Sequence, residues 1–155
     1  ASDLRVVMAA DSQCSSQVGD VSRFAGMSLV SATEREARIS LRDNDDGLSY
    51  LAEALSCNAE ADSVLLKLGA DGVLLHTKNI AGFTSTNQLP ALNSNPMDVA
   101  GAGDSMLITT ALALGAGSPF WAAAAIGTVA SALQVSRMGN QPLKRKEFLR
   151  VIKNS

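Results

Sequence analysis

Between Asp104 and Arg137 the chain carries no charged residue, and this constrains its folding more than any other feature. An uncharged run of that length has two physical outlets, a lipid bilayer or the interior of a protein. Gly115-Ala116-Gly117-Ser118-Pro119 interrupts it, and each half is shorter than the roughly 20 residues a spanning helix needs. Both halves are rich in Ala, Gly, Ser and Thr, which suits two helices buried in a soluble protein. Ser118-Pro119 reads as the start of the second helix, with Ser as N-cap and Pro in the first helical position.

The rest of the chain supplies what such helices would cover. Residues 4–9 read as a strand ending at Asp11-Ser12. Ser28-Leu29-Val30 is a second apolar run, leading into a helix that begins with Thr33-Glu34-Arg35-Glu36. Leu48, Leu51, Ala52 and Leu55 fall on one face at helical spacing. Residues 63–68 and 73–77 are continuous apolar runs flanking Gly69-Ala70-Asp71-Gly72, a tight hairpin signal. Residues 81–86 read as a further strand, 89–96 as polar loop, and 143–152 as a terminal helix of mixed charge. Strands alternating with helices, then a hairpin, then consecutive helices predict one α/β domain over residues 1–155. Its sheet is expected to be mostly parallel and flanked by helices.

A net charge of −2 and a pI near 5.3 argue against a nucleic-acid partner. Lys144-Arg145-Lys146 reads as the solvated side of the last helix. Cys14 and Cys57 lack a CxxC partner and are read as free thiols in a reducing cytoplasm. His76 is the sole histidine; it lies inside a strand-like run and is read as structural, and zinc is not expected. The apolar run before Asp11 is too short for a signal peptide. No GxGxxG follows an early strand, which disfavours a dinucleotide-dependent oxidoreductase.

Chemistry concentrates in Asp98-Val99-Ala100-Gly101-Ala102-Gly103-Asp104. A Gly-Ala-Gly turn opening a helix leaves backbone N–H groups without intrahelical partners, and its small side chains let an anion approach them. The helix dipole adds positive potential there, so the opening suits a phosphate. Asp104, one residue further on, is placed to take a proton from an attacking hydroxyl. On these residues alone Asp104 reads equally well as an acidic side chain stabilising the first turn, worth about 1 kcal/mol at most.

The heptad resembles the Asp-Thr-x-Gly-Ala-Gly-Asp signature of the ribokinase-like (PfkB) carbohydrate kinases. Lys67-Leu68-Gly69-Ala70-Asp71-Gly72 resembles that family's strand-turn-strand beside the ATP phosphates and ribose. Val135-Ser136-Arg137-Met138-Gly139-Asn140-Gln141-Pro142 resembles its late helix-to-loop segment, and Thr33-Glu34-Arg35-Glu36 stands where the family has Asn-x-x-Glu. These segments cover nearly the whole chain in the family's order. The resemblance implies a ribokinase-like fold and ATP-dependent phosphorylation of a sugar or sugar-phosphate hydroxyl. Asp104 would be the base, and the amides of Gly101, Ala102 and Gly103 the anion hole. Lys67, Gly69, Gly72, Thr128 and Thr33 would line the nucleotide site. Glu36 would act through water on Mg²⁺, while Asp98 and the carbonyls of Ala100, Gln134, Arg137 and Gly139 would face a potassium-type cation.

This chain departs from the pattern in places. Val99 stands for the usual Thr, Thr33 for Asn, and Leu143 near where a hydroxyl would complete the cation site. Thr33-x-x-Glu36 is equally a capping box, so both readings of Glu36 stand open. Family members run to about twice this length, so the resemblance implies that the chain is the C-terminal, nucleotide-binding half, expected to be inactive by itself. Its expected partners are ATP, a sugar, and either the complementary N-terminal half or a second copy, with no membrane. Asp11-Ser12-Gln13 and the Thr-Glu-Arg-Glu-Ala-Arg run resemble the kinase half of bifunctional ADP-heptose synthases, which implies a heptose phosphate. The alternative reading is a nucleotide-binding or interaction module without chemistry of its own.

Overall fold

The computed structural model describes residues 6–11, 24–79 and 81–154. Five strands form one sheet whose spatial order follows the chain: β1 (Ala9–Asp11), β2 (Leu29–Thr33), β3 (Ser63–Lys67), β4 (Val73–Lys78) and β5 (Thr84–Leu89). β1, β2 and β3 are parallel neighbours, while β4 pairs antiparallel to both β3 and β5. Four strands therefore point one way and only β4 runs against them. Helices α1 (Glu34–Leu41) and α2 (Leu48–Asn58) connect β2 to β3, and α3 (Ala102–Gly115), α4 (Phe120–Val135) and α5 (Arg145–Asn154) follow β5.

The continuous apolar strands are explained by burial on both faces. Val30, Ala32, Val64, Leu66 and Leu74 point to one side and pack with Ala37, Leu51 and Leu55 of α1 and α2. Their neighbours Leu29, Leu65, Val73 and Leu75 point to the other, against Met106, Phe120 and Ala124 of α3 and α4. The uncharged run thus forms one helical layer of an α/β/α sandwich. No helix among the described residues is long and apolar enough to cross a membrane. Where α4 meets α3, Gly127 is required: a β-carbon there would collide with Thr110 Oγ1 and lie 3.0 Å from the Met106 carbonyl oxygen.

Several boundaries differ from the sequence expectation. Ser118 does not cap α4; Pro119 is the N-cap residue, without a side-chain hydrogen bond. The Ser118 N–H instead donates to Ala113 O at 3.0 Å and the Gly117 N–H to Leu114 O at 2.9 Å, closing α3 in a Schellman arrangement around left-handed Gly117. The first strand is shifted C-terminal, because Leu29 on β2 registers with Ala9 and leaves Val6 and Met8 exposed. Leu4, Arg5, Ser12, Gln13 and Cys14 lie outside the described residues. The last strand is shifted as well. Asn79 Oδ1 accepts from the N–H groups of Ala81 and Phe83, each at 3.0 Å, holding those residues in a turn.

His76 is structural, as the sequence suggested. It is 1% exposed on β4, with Nδ1 2.8 Å from Thr86 Oγ1 on β5 and no partner at Nε2 among the described residues. Burial holds its pKa below the ordinary 6.5. As pH falls through that value, an unfolded chain takes up the proton before the folded one does. Stability is then full above this range and declines below it, until the folded chain also protonates. The melting temperature should fall between pH 7.5 and about 5.5, and His76→Leu should flatten that dependence. An equal slope in both proteins would remove His76 as the cause.

Candidate nucleotide and phosphoryl-transfer site

β1, β2 and β3 end side by side at Asp11, Thr33 and Lys67, and the first turn of α3 comes to the same end of the sheet. Ligand sites of α/β sheets form characteristically at this carboxyl edge. Here a cleft of about 540 Å³ is lined by Thr33, Lys67, Gly69, Gly72, Thr128, Ala102 and Gly103. It therefore unites all five residues expected to contact nucleotide with two of the three glycine-turn residues. Its size falls in the ordinary range for small-molecule pockets.

An ion-paired lysine and a helix N-terminus meet there. Lys67 leaves the end of β3 and pairs with Asp11 at 2.8 Å, both side chains being largely buried, 16% and 14% exposed. A β-carbon on Gly103 would lie 3.1 Å from Lys67 Nζ, so the ammonium group sits directly over the opening of α3. Gly101 is the N-cap of α3 with φ of 75° and ψ of 4°, and a β-carbon there would run into the Asn140 side chain. Ala102 turns its N–H back to Val99 O at 3.2 Å, and the Ser105 N–H makes the first intrahelical bond, to Gly101 O at 3.0 Å. Gly103 and Asp104 follow Ala102 in the first turn, where amides have no intrahelical acceptor. Asp104 is exposed and does not line the cleft.

Thr33 and Glu36 form a complete capping box. Thr33 Oγ1 accepts from the Glu36 N–H at 3.2 Å, and Glu36 Oε2 accepts from the Thr33 N–H at 2.7 Å. The helix-capping reading of Glu36 is thus met. Among the described residues no group of three or more His, Cys, Asp or Glu is placed to hold a metal ion. Mg²⁺ sites commonly combine one or two carboxylates with several waters and substrate phosphate oxygens.

Of the five residues expected around a monovalent cation, Asp98, Ala100 and Gly139 gather beneath the turn that opens α3, and Gln134 joins them by its side-chain amide rather than by the carbonyl expected to face the ion. Asp98 Oδ1 accepts from the Ala100 N–H and Oδ2 from the Gly139 N–H, both at 2.9 Å. These bonds hold the Asp98 carboxyl below its ordinary pKa. The carbonyl oxygens of Ala100 and Gly139 face the same point, but Gln134 Nε2 lies there. The arrangement does not fit a bare cation. The Arg137 guanidinium pairs with Glu147 on α5 at 3.4 Å.

Residues the sequence reading passed over also shape the site. Pro90, Ala91, Leu92, Asn93 and Pro96 line the cleft together with Thr128 and Ala132 of α4. Asn93 Nδ2 donates to Ala132 O on α4 at 3.3 Å, so the segment read as polar loop is an anchored wall. Its bracketing prolines were the available signal. Nothing local in the sequence marks Asp11 as the partner of Lys67.

An α/β/α sandwich with a glycine-lined helix opening at the carboxyl edge of its sheet has the architecture in which α/β proteins form ligand sites. The profile of the "pfkB family carbohydrate kinase" matches residues 4–146, and the chain belongs to that family. It is 30% identical over 135 residues to a bifunctional protein HldE of Coxiella burnetii, covering 86% of this chain and 28% of that protein. It is 27% identical over 134 residues to the bifunctional protein HldE of Geotalea uraniireducens, covering 84% and 26%. Among solved structures it superposes on a ribokinase from Thermotoga maritima with a TM-score of 0.72 at 27% identity, over 84% of this chain and 44% of that one. An Arabidopsis thaliana ribokinase complexed with ribose and ATP gives 0.75 at 22% identity, over 95% and 47%, a likeness of fold. The chain thus spans about a quarter of these curated relatives and under half of these solved kinases.

Proposed function

We propose that this chain supplies the ATP site and the proton acceptor for phosphorylation of a sugar-phosphate hydroxyl. The observation that carries the reading is the Lys67 ammonium group poised over the Gly103 opening of α3. A fixed cation and unpaired main-chain donors at one point favour a group that gains negative charge during transfer. The nucleotide lies along the cleft, its phosphates toward Gly103 and Lys67, its ribose passing Gly69 and Gly72. The base rests between the 90–96 wall and Thr128 on α4. The substrate oxygen attacks the γ-phosphorus in line, its proton passes to the Asp104 carboxylate, and the bond from that phosphorus to the β–γ bridging oxygen breaks as ADP leaves. Mg²⁺ carried by the phosphates would neutralise charge on them. A heptose phosphate is the proposed acceptor, supported by the resemblance to the kinase half of ADP-heptose synthases and by the HldE relatives.

Calorimetric titration with ATP tests the site. Lys67→Met should weaken ATP binding about 10- to 100-fold, because a hydrogen bond to a charged group contributes about 1.5–3 kcal/mol. Unchanged affinity would remove Lys67 from the phosphate site. A second reading, a nucleotide-binding module without chemistry, draws support from the exposure of Asp104 outside the cleft. ATP binding without ATP consumption in the presence of sugar phosphates, by a polypeptide that also carries a sugar-binding half, would favour it.

A further inference from the structure

The loop before α3 and the loop after α4 aim three oxygens at one point: the carbonyls of Ala100 and Gly139 and Oδ1 of Asn140. Acceptors that converge in this way repel one another unless a cation or an N–H donor lies between them. Gln134 Nε2 lies there, 3.3 Å from Ala100 O, 3.3 Å from Gly139 O and 3.4 Å from Asn140 Oδ1. Gln134 comes from the last turn of α4 and is 1% exposed. An amide nitrogen brings two hydrogens and, conjugated with its carbonyl, no acceptor capacity. Sharing two hydrogens among three oxygens also accounts for contacts longer than the usual 2.9–3.0 Å.

We infer that the Gln134 side-chain amide is a built-in substitute for a monovalent cation, making the geometry of the α3 opening independent of potassium. Gln134 acts here as a positioning residue. It ties the peptide just before Gly101 to the 139–140 loop, and Asn140 in turn packs against Gly101. Asp98 reinforces the arrangement from the other side by binding the N–H groups of Ala100 and Gly139. The inference rests on this hydrogen bonding and does not require the kinase reading. It survives if ATP binding fails, and it fails by a different measurement.

The test is thermal unfolding of the chain in potassium, sodium and choline chloride at matched ionic strength, with thallium-205 NMR as a direct probe of cation binding. The unaltered protein should melt at one temperature in all three salts and show no bound thallium signal. Gln134→Glu places a carboxylate among the three oxygens and should create a need for a cation. Its melting temperature should rise roughly 5–10 °C in saturating potassium relative to choline. Gln134→Ala, which opens the space without adding charge, should show a smaller gain of the same kind. The potassium-minus-choline difference is the quantity read, so a destabilised variant still reports. A saturable potassium-specific rise or a bound thallium signal in the unaltered protein would overturn the inference, as would a folded Gln134→Glu indifferent to the salt.

Discussion

Replacing Asp104 by Asn is expected to lower phosphoryl-transfer turnover by about 10²–10⁴-fold, the usual contribution of a positioned general base. The side chain stays isosteric, but an amide accepts no proton at neutral pH. ATP affinity should hold, because the cleft is lined by Lys67, Gly103 and their neighbours and not by Asp104. The melting temperature should barely move, since an exposed first-turn carboxylate contributes under about 1 kcal/mol through the helix dipole. Steady-state kinetics on a catalytically competent polypeptide carrying this chain, beside calorimetry on the same variant, separate these effects. Turnover near the unaltered rate would leave Asp104 as a helix-end charge and remove it from the reaction.

Gly72→Ala is expected to be the most destabilising single-methyl change at the cleft. Gly72 has φ of 91° and ψ of −129°, a conformation that L side chains rarely adopt. A β-carbon there would collide with the Leu89 carbonyl oxygen and lie 2.7 Å from Ala91 N, both backbone atoms with little freedom to move. Strain and overpacking together cost about 2–5 kcal/mol, a melting-temperature loss of roughly 5–15 °C. The same collision would push Leu89, Pro90 and Ala91 outward and distort the cleft wall. Gly69→Ala is the internal control. Gly69 also has positive φ, 62°, but nothing lies within 4 Å of its would-be β-carbon, so only about 1 kcal/mol of backbone strain remains. Equal melting temperatures for the two variants would show that the steric argument fails.

Both predictions draw on different levels of information. The Gly-Ala-Gly turn and its acidic neighbour are visible as a string of residues, because unpaired amides at a helix start follow from local geometry. The glycines at 69 and 72 were visible as a turn between two apolar runs. Why they differ was not, since only the return of β5 beside β4 brings Leu89 against Gly72. Glu36 shows the opposite case, in which one short motif supported two readings. The reciprocal bonds between Thr33 and Glu36 meet the capping one.

By itself the sequence determined the buried helical pair, the strands covered on both faces and the glycine-lined helix start. All of these follow from side-chain periodicity and from backbone rules that act within a few residues. Tertiary structure alone decided that Lys67 meets Asp11 across 56 positions and hangs over Gly103, and that Gln134 reaches Ala100 across 34 to fill an oxygen-lined turn. It also decided that a polar loop becomes a cleft wall. Such meetings depend on strand register and helix packing, which set distances between segments that no local pattern encodes.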